Sequence, residues 1–255
     1  MACRNRLVRR AGEAEHAGLV LAYCLEEERN GGGERGPTAK QEVLGAAIKA
    51  VGRSGAIYRM AYDRRVRDLT AAGAETAEVA VAWRLAIGLG NESVVETGTT
   101  LHRTYGTPVI PGTALKGLAA HYCDSVWGAV DARYKEGGEF HREMFGVTLD
   151  AGHITFHDAW ILPACLGAGL VTDTMTPHHG DYYMGKDDQH PPSDFDDPVP
   201  VAFLAVTGTF HAAVTCDGEG AEAEKWAVRA LELLKTALRE WGVGGKTNSG
   251  YGRMG

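Results

Sequence analysis

An α+β architecture is written into this chain, and three features carry that reading. The first third places apolar residues at helical spacing. From about residue 76 the pattern turns to short alternating runs of the kind strands show. A strongly amphipathic segment, residues 220–241, then leads into a glycine-rich end, GVGGKTNSGYGRMG.

Taken in order, residues 12–29 carry Leu19, Val20, Tyr23 and Cys24 at helical spacing, and Asn30-Gly31-Gly32-Gly33 stops that element. Gly36-Pro37-Thr38 opens a second helix with Val43, Leu44, Ala47, Ile48 and Val51 on one face, and Ala56 to Leu69 forms an arginine-rich third segment. Val79 to Leu89 alternates and reads as a strand. The rigid PVIPG turn at 108–112 precedes a helix with Thr113 as its N-cap and Leu115, Leu118, Ala119, Tyr122 and Val126 along one stripe. Gly152 to Leu162 is a further strand, residues 163–198 a Gly/Pro/Asp-rich insertion, and Val199–Thr215 a long strand or hairpin. In the 220–241 helix, Trp226, Ala230, Leu234, Ala237, Leu238 and Trp241 face the core. From Val79 onward the order is β, α, β, β, α, then the glycine-rich end. We therefore expect a ferredoxin-like (RRM-like) βαββαβ domain over 76–255, its last strand short or replaced by the loop. A helical N-terminal extension occupies 1–75. In that topology both helices lie on one sheet face, and the other is expected to stay open for a ligand.

Composition narrows the class. At 255 residues, 44% hydrophobic and 23% charged, the chain buries an ample core without disulfides. The five cysteines, Cys3, Cys24, Cys123, Cys165 and Cys216, form no C-x-x-C pair, which fits reduced thiols in a cytoplasmic protein better than a zinc ribbon. The apolar run Ala17 to Leu25 is too short to span a bilayer. It follows a basic stretch, but Glu13, Glu15 and Glu26-Glu27-Glu28 argue against a signal peptide. Net charge is −7, unevenly spread: residues 1–70 hold 13 Lys+Arg against 9 Asp+Glu, and the rest 13 against 24. A local basic surface on an acidic protein is therefore compatible with an anionic partner.

Two motifs point to such a partner. Around Lys246, Thr247, Asn248, Ser249 and Tyr251 stand Gly242, Gly244, Gly245, Gly250 and Gly252, and glycines let backbone N–H groups approach a phosphate closely. Lys246 adds a point charge, and Tyr251 is expected to offer a stacking face worth ~1–3 kcal/mol per base. Gly245-Lys246-Thr247 is not a P-loop: Glu240 stands where that motif needs a glycine, and a helix precedes where it needs a strand. The second motif runs from His102-Arg103 to Gly117. A helix N-terminus offers unpaired N–H groups, and a lysine in its first turn, Lys116, makes sense with an anion between.

PVIPGTALKG, the Phe145-Gly146 before GHITFHDA, and the terminal GVGGKTNSGYG together resemble the hallmarks of the RAMP superfamily of CRISPR-associated proteins. Within it, Leu101–Gly106, Thr176–Tyr183 and Asp197–Val206 are similar to the small RAMP subunit near the guide 3′ end of type III-B (Cmr-type) effector complexes. The similarity covers about Val79 to Gly252. It implies a non-catalytic subunit of an antiviral RNA-targeting effector, with guide CRISPR RNA, target RNA and other RAMP subunits as partners, no cofactor, and no membrane. It also implies that the helix start at Thr113 and Lys116 and the loop at Gly244, Gly245, Lys246, Thr247, Asn248 and Tyr251 hold guide phosphates. His102 and Arg103 beside that helix start are further RNA-binding candidates, and His178 and His179 in a polar loop are read as bonding RNA or a neighbouring subunit. The insertion would act as a thumb, and the N-terminal helices as an assembly surface. His153 and His157 share a strand face, but no H-E-x-x-H or third ligand supports a metal. The acidic group Asp187, Asp188, Asp194, Asp196 and Asp197 reads as a solvated loop. The alternative is a RAMP endoribonuclease processing precursor guide RNA, with His102 as general base and Lys246 on the phosphorane. Such enzymes carry two tandem ferredoxin-like units, and one is visible here.

Overall fold

The structure, a computed structural model, describes residues 10–25, 38–177, 179, 182, 191–194, 196–218 and 220–255. The expectations placed on the Asn30–Gly33 stop and on His178, Asp187 and Asp188 lie outside those residues.

The N-terminal part is helical. A 3-10 turn at Ala11–Glu13 precedes α1 (Ala17–Tyr23), which is shorter than the periodicity suggests. In α2 (Ala39–Arg53), Thr38 and Gln41 form a reciprocal capping box, and Val43, Leu44, Ala47, Ala50 and Val51 are buried. α3 (Gly55–Ala71) follows at once and buries Tyr58, Ala61 and Leu69.

The central sheet is built from β1 (Glu75–Ala80), β2 (Val109–Ile110), β3 (Ile154–Phe156), β4 (Ala159–Ile161) and a long strand (Thr209–Cys216). That long strand pairs antiparallel with β1 on one side and with β3 and β4 on the other; β4 in turn pairs β2. Beyond β1 the chain end continues the sheet: Ala80 and Gly255 exchange two backbone hydrogen bonds, and Gly252 donates to the Arg84 carbonyl at 2.8 Å. β5 (Leu170–Met175) and β6 (Val201–Val206) make a separate antiparallel pair, which numbers the long strand β7. Residues 163–198, read as a Gly/Pro/Asp-rich insertion, thus begin with a 3-10 turn at Pro163–Ala168 and then β5. α4 (Gly112–Tyr122) and α6 (Ala221–Glu240) pack on each other and on the sheet; a short helix, α5 (Glu139–Phe145), lies between them in sequence. Phe210, Ala212 and Val214 of β7 alternate into the same buried cluster as Leu115 and Ala119 of α4 and Leu234 and Leu238 of α6.

Four expectations change. The strand placed at Val79–Leu89 begins earlier and ends at Ala80. Residues 81–86 then make only single bridges, Val81 to Met254, Leu85 to Val206 and Ala86 to Gly245, because the segment is shared between partners on two sides. The strand at Gly152–Leu162 is broken at His157-Asp158. Phe156 pairs with Val214 and Trp160 with His211, so the β3–β4 side holds one extra residue, a β-bulge. An odd offset sends following side chains to the opposite face: Phe156 enters the core under α4, whereas Trp160 faces α3. The cap of α4 is Pro111, not Thr113, and Thr113 is exposed. The sheet face expected to be open is occupied at this end by α3, whose Tyr58 hydroxyl donates to Ile161 O at 2.7 Å while its ring stacks on Trp160 at 5.7 Å. Tyr62 of α3 meets His211 edge-on at 6.0 Å.

Candidate functional site

The start of α4 is set by Gly112. A Cβ there would lie 2.1 Å from the Phe156 carbonyl, so only glycine lets the first turn sit on the strand. The Gly112 N–H donates to Asp158 Oδ1 at 2.7 Å. The bulge is what swings that carboxylate out of the ladder, and it satisfies one of the four donors a helix start leaves unpaired. The Asp158 carbonyl accepts from Arg65 Nη2 of α3, whose guanidinium lies 4.8 Å over the Trp160 ring. Part of the anion-attracting capacity expected at this helix start is therefore already met by an internal carboxylate. Lys116, one turn in, is half-buried and Thr113 exposed; neither makes a side-chain hydrogen bond or ion pair among the described residues.

His102 closes a turn beside this cluster. Its N–H donates to Thr107 O at 2.7 Å, its Nδ1 accepts from the Thr104 N–H at 3.2 Å, and its ring lies 4.7 Å from Tyr105 and 4.6 Å from Trp160. Burial pushes its pKa down, and Arg65 and His16 add to that against the pull of Asp158. Arg103 is exposed, with its carbonyl bonded to His16 Nε2 at 3.0 Å.

The glycine loop is ordered at its base and open at its tip. Gly244 has φ +89°, and a Cβ there would meet Ala86 O at 2.4 Å; Gly245 donates to that same carbonyl at 2.7 Å. Lys246 adopts the left-handed region at φ 61°, ψ 30° and starts a 3-10 turn, Thr247–Ser249. Gly244, Lys246, Asn248, Ser249 and Gly250 are exposed, and Thr247 is half-buried. Lys246 has no side-chain partner among the described residues. Tyr251 is corrected: it is 7% exposed, so its ring is not an open stacking face. Its hydroxyl donates to Asp173 Oδ2 of β5 at 2.6 Å, and the same oxygen pairs with Arg84 Nη1 at 2.5 Å. Burial opposes ionisation of Asp173, but the hydrogen bonds from Arg84 and Tyr251 outweigh it and hold the carboxyl below its usual range. Burial and the Asp173 bond together push the Tyr251 hydroxyl up.

The two motifs hang from adjacent peptide groups. Ala86 O holds Gly245, and Ile87 O accepts the Thr100 N–H at 2.9 Å, two residues before His102. No side-chain hydrogen bond or ion pair joins Lys116 to the glycine loop among the described residues. His179 pairs with Asp196 at 2.7 Å, which takes Asp196 out of the freely solvated group. His153 lies 3.6 Å from Glu143 and His157 bonds Thr215 Oγ1 at 3.0 Å, so the pair does not converge. Among the described residues no cluster of three metal-ligating side chains forms, and no helix is long and apolar enough to cross a membrane. Sequence reading missed Arg65, Asp173 and Trp83-Arg84. Only Arg65 carried a signal, as one of an arginine run.

A family profile described as "RAMP superfamily" matches residues 83–254. The CRISPR system Cmr subunit Cmr6 of Pyrococcus furiosus is 29% identical over 252 residues, covering 78% of this chain and 72% of that protein. Among solved structures, a chain in the cryo-EM structure of the Type III-B Cmr-beta bound to cognate target RNA superposes with a TM-score of 0.62 at 19% identity, over 84% of this chain and 70% of that one. The crystal structure of Cmr6 from Pyrococcus furiosus is 31% identical over 71% of this chain, with a TM-score of 0.44.

Proposed function

We propose, from the premise that this chain belongs to the RAMP superfamily, that it is a guide-RNA-holding and assembly subunit of a type III-B CRISPR RNA-targeting effector. Its similarity to Cmr6 supports the choice of effector. The observation that carries the RNA-holding role is the glycine loop: an exposed tip with Lys246 unpaired, on a base fixed through Ala86, Arg84 and Asp173. Exposed backbone and one ammonium group suit a phosphate ribbon read without strict sequence preference.

The domain reading that goes with this is ferredoxin-like: the chain end, β1, β7 and β3–β4 lie in the spatial order 4-1-3-2 of a βαββαβ unit, with α4 and α6 as its two helices. The place in the effector is the end of the filament near the guide 3′ end, with target RNA and other RAMP subunits as neighbours, in the cytoplasm. We assign the subunit no catalytic step. His102 Nδ1 is engaged by the Thr104 amide and its ring by Tyr105 and Trp160, which suits a turn-closing group better than a general base.

The test is guide retention in the assembled effector. Lys246→Ala and Lys116→Glu should release guide RNA at lower salt than the unaltered subunit while leaving its melting temperature unchanged. Equal retention by all three at moderate salt sinks the proposal.

A further inference from the structure

Trp83 is 54% exposed, beside the glycine loop, and yet firmly held. Tryptophan is largely buried in most folds, so an indole kept in water asks for a reason. The Arg84 guanidinium lies 5.0 Å from the Trp83 ring centroid, and the Tyr251 ring lies 5.0 Å away at 54°. Arg84 is itself fixed by Asp173, which also takes the Tyr251 hydroxyl. Three parts of the chain, β5, the 81–86 segment and the glycine loop, thus converge to orient a ring that they do not cover. Core packing does not account for this, because a buried tryptophan would need no such support. With its charge answered by Asp173, Arg84 acts as a holder, and a cation nearby without a side-chain partner among the described residues is Lys246, whose carbonyl accepts the Tyr251 N–H.

We infer that Trp83 is a stacking platform for an unpaired nucleobase of single-stranded RNA whose phosphates follow the glycine loop. This rests on the RNA-holding reading above and adds the base to the backbone. A rigid aromatic loses little conformational freedom on binding, and every base offers a π-face, so the contact is sequence-tolerant.

The full chain is titrated with labelled oligouridine and with an abasic ribose-phosphate strand of equal length. Trp83→Leu should weaken oligouridine binding about 5- to 150-fold, which corresponds to ~1–3 kcal/mol per stacked base, and leave the abasic strand unaffected. Trp83→Phe should keep most of the preference for oligouridine. Lys246→Ala should weaken both strands alike. If Trp83→Leu weakens both equally, or neither, while Lys246→Ala weakens both, stacking is wrong and the RNA-holding reading stands. Should Trp83→Leu lose its cooperative melt, Trp83→Phe decides: loss of the oligouridine preference overturns the inference. An unchanged preference in Trp83→Leu with loss of co-purifying effector subunits assigns the ring to protein contact and also overturns it. If the unaltered chain binds neither strand at low salt, both readings fall.

Discussion

Asp158 caps a helix that begins 46 residues earlier in the chain, through a bulge that turns its carboxylate toward Gly112. Asp158→Ala should cost ~1 kcal/mol, as loss of other carboxylate caps does, and lower the melting temperature by about 2–4 °C. Differential scanning calorimetry checks this. Four half-buried or buried histidines, His102, His141, His157 and His211, all have their pKa lowered, chiefly by burial. The folded state then binds fewer protons than the unfolded one just below the usual imidazole value of ~6.5. Their contribution to stability is full above that value and is lost as pH falls through the lowered pKa values. Melting temperature should therefore drop between about pH 7 and about pH 5, and His141→Gln should flatten the drop. Residues were legible unevenly: the spacing of Gly244, Gly245 and Lys246 announced an exposed loop, whereas the burial of Tyr251 depends on Asp173 and Phe203, which no local pattern ties to it.

At the level of elements, the helices were the most readable. The capping box at Thr38 and Gln41 and the apolar stripe of α6 are local, and local signals survive folding. The strands were less so. In GHITFHDAWIL the alternation of Ile154-Thr155-Phe156 breaks at the polar pair His157-Asp158, but such a break does not by itself say that a residue is inserted; the bulge shows in the partner register. Residues 81–86 look like a strand because they are apolar and alternating, but they divide their hydrogen bonds between Val206, Gly245 and the chain end. Crowding of α4 against β3 is the tightest constraint on the helix start. Gly112→Ala should destabilise by ~1–3 kcal/mol, seen as a lower urea midpoint with an unchanged slope.

For the molecule as a whole, the α+β order was visible and the fate of the second sheet face was not. Tyr58, Tyr62 and Arg65 read as an arginine-rich helix for a partner; their docking on Trp160, Asp158 and His211 involves positions about a hundred or more residues away. An anionic ligand on a protein of net charge −7 must rely on local cations. RNA affinity should fall with salt, and Lys246→Ala should reduce the slope of log affinity against log salt by about 0.7 for a single strand. Fluorescence anisotropy over a salt series measures both. The seam between residues 80–86 and 243–255 joins stretches more than 150 positions apart, and the backbone hydrogen bonds of the loop base run across it. Ring closures of that span are slow compared with helix formation. Denatured protein returned to native buffer should regain its far-ultraviolet ellipticity first and the RNA binding proposed above later, in two separable kinetic phases.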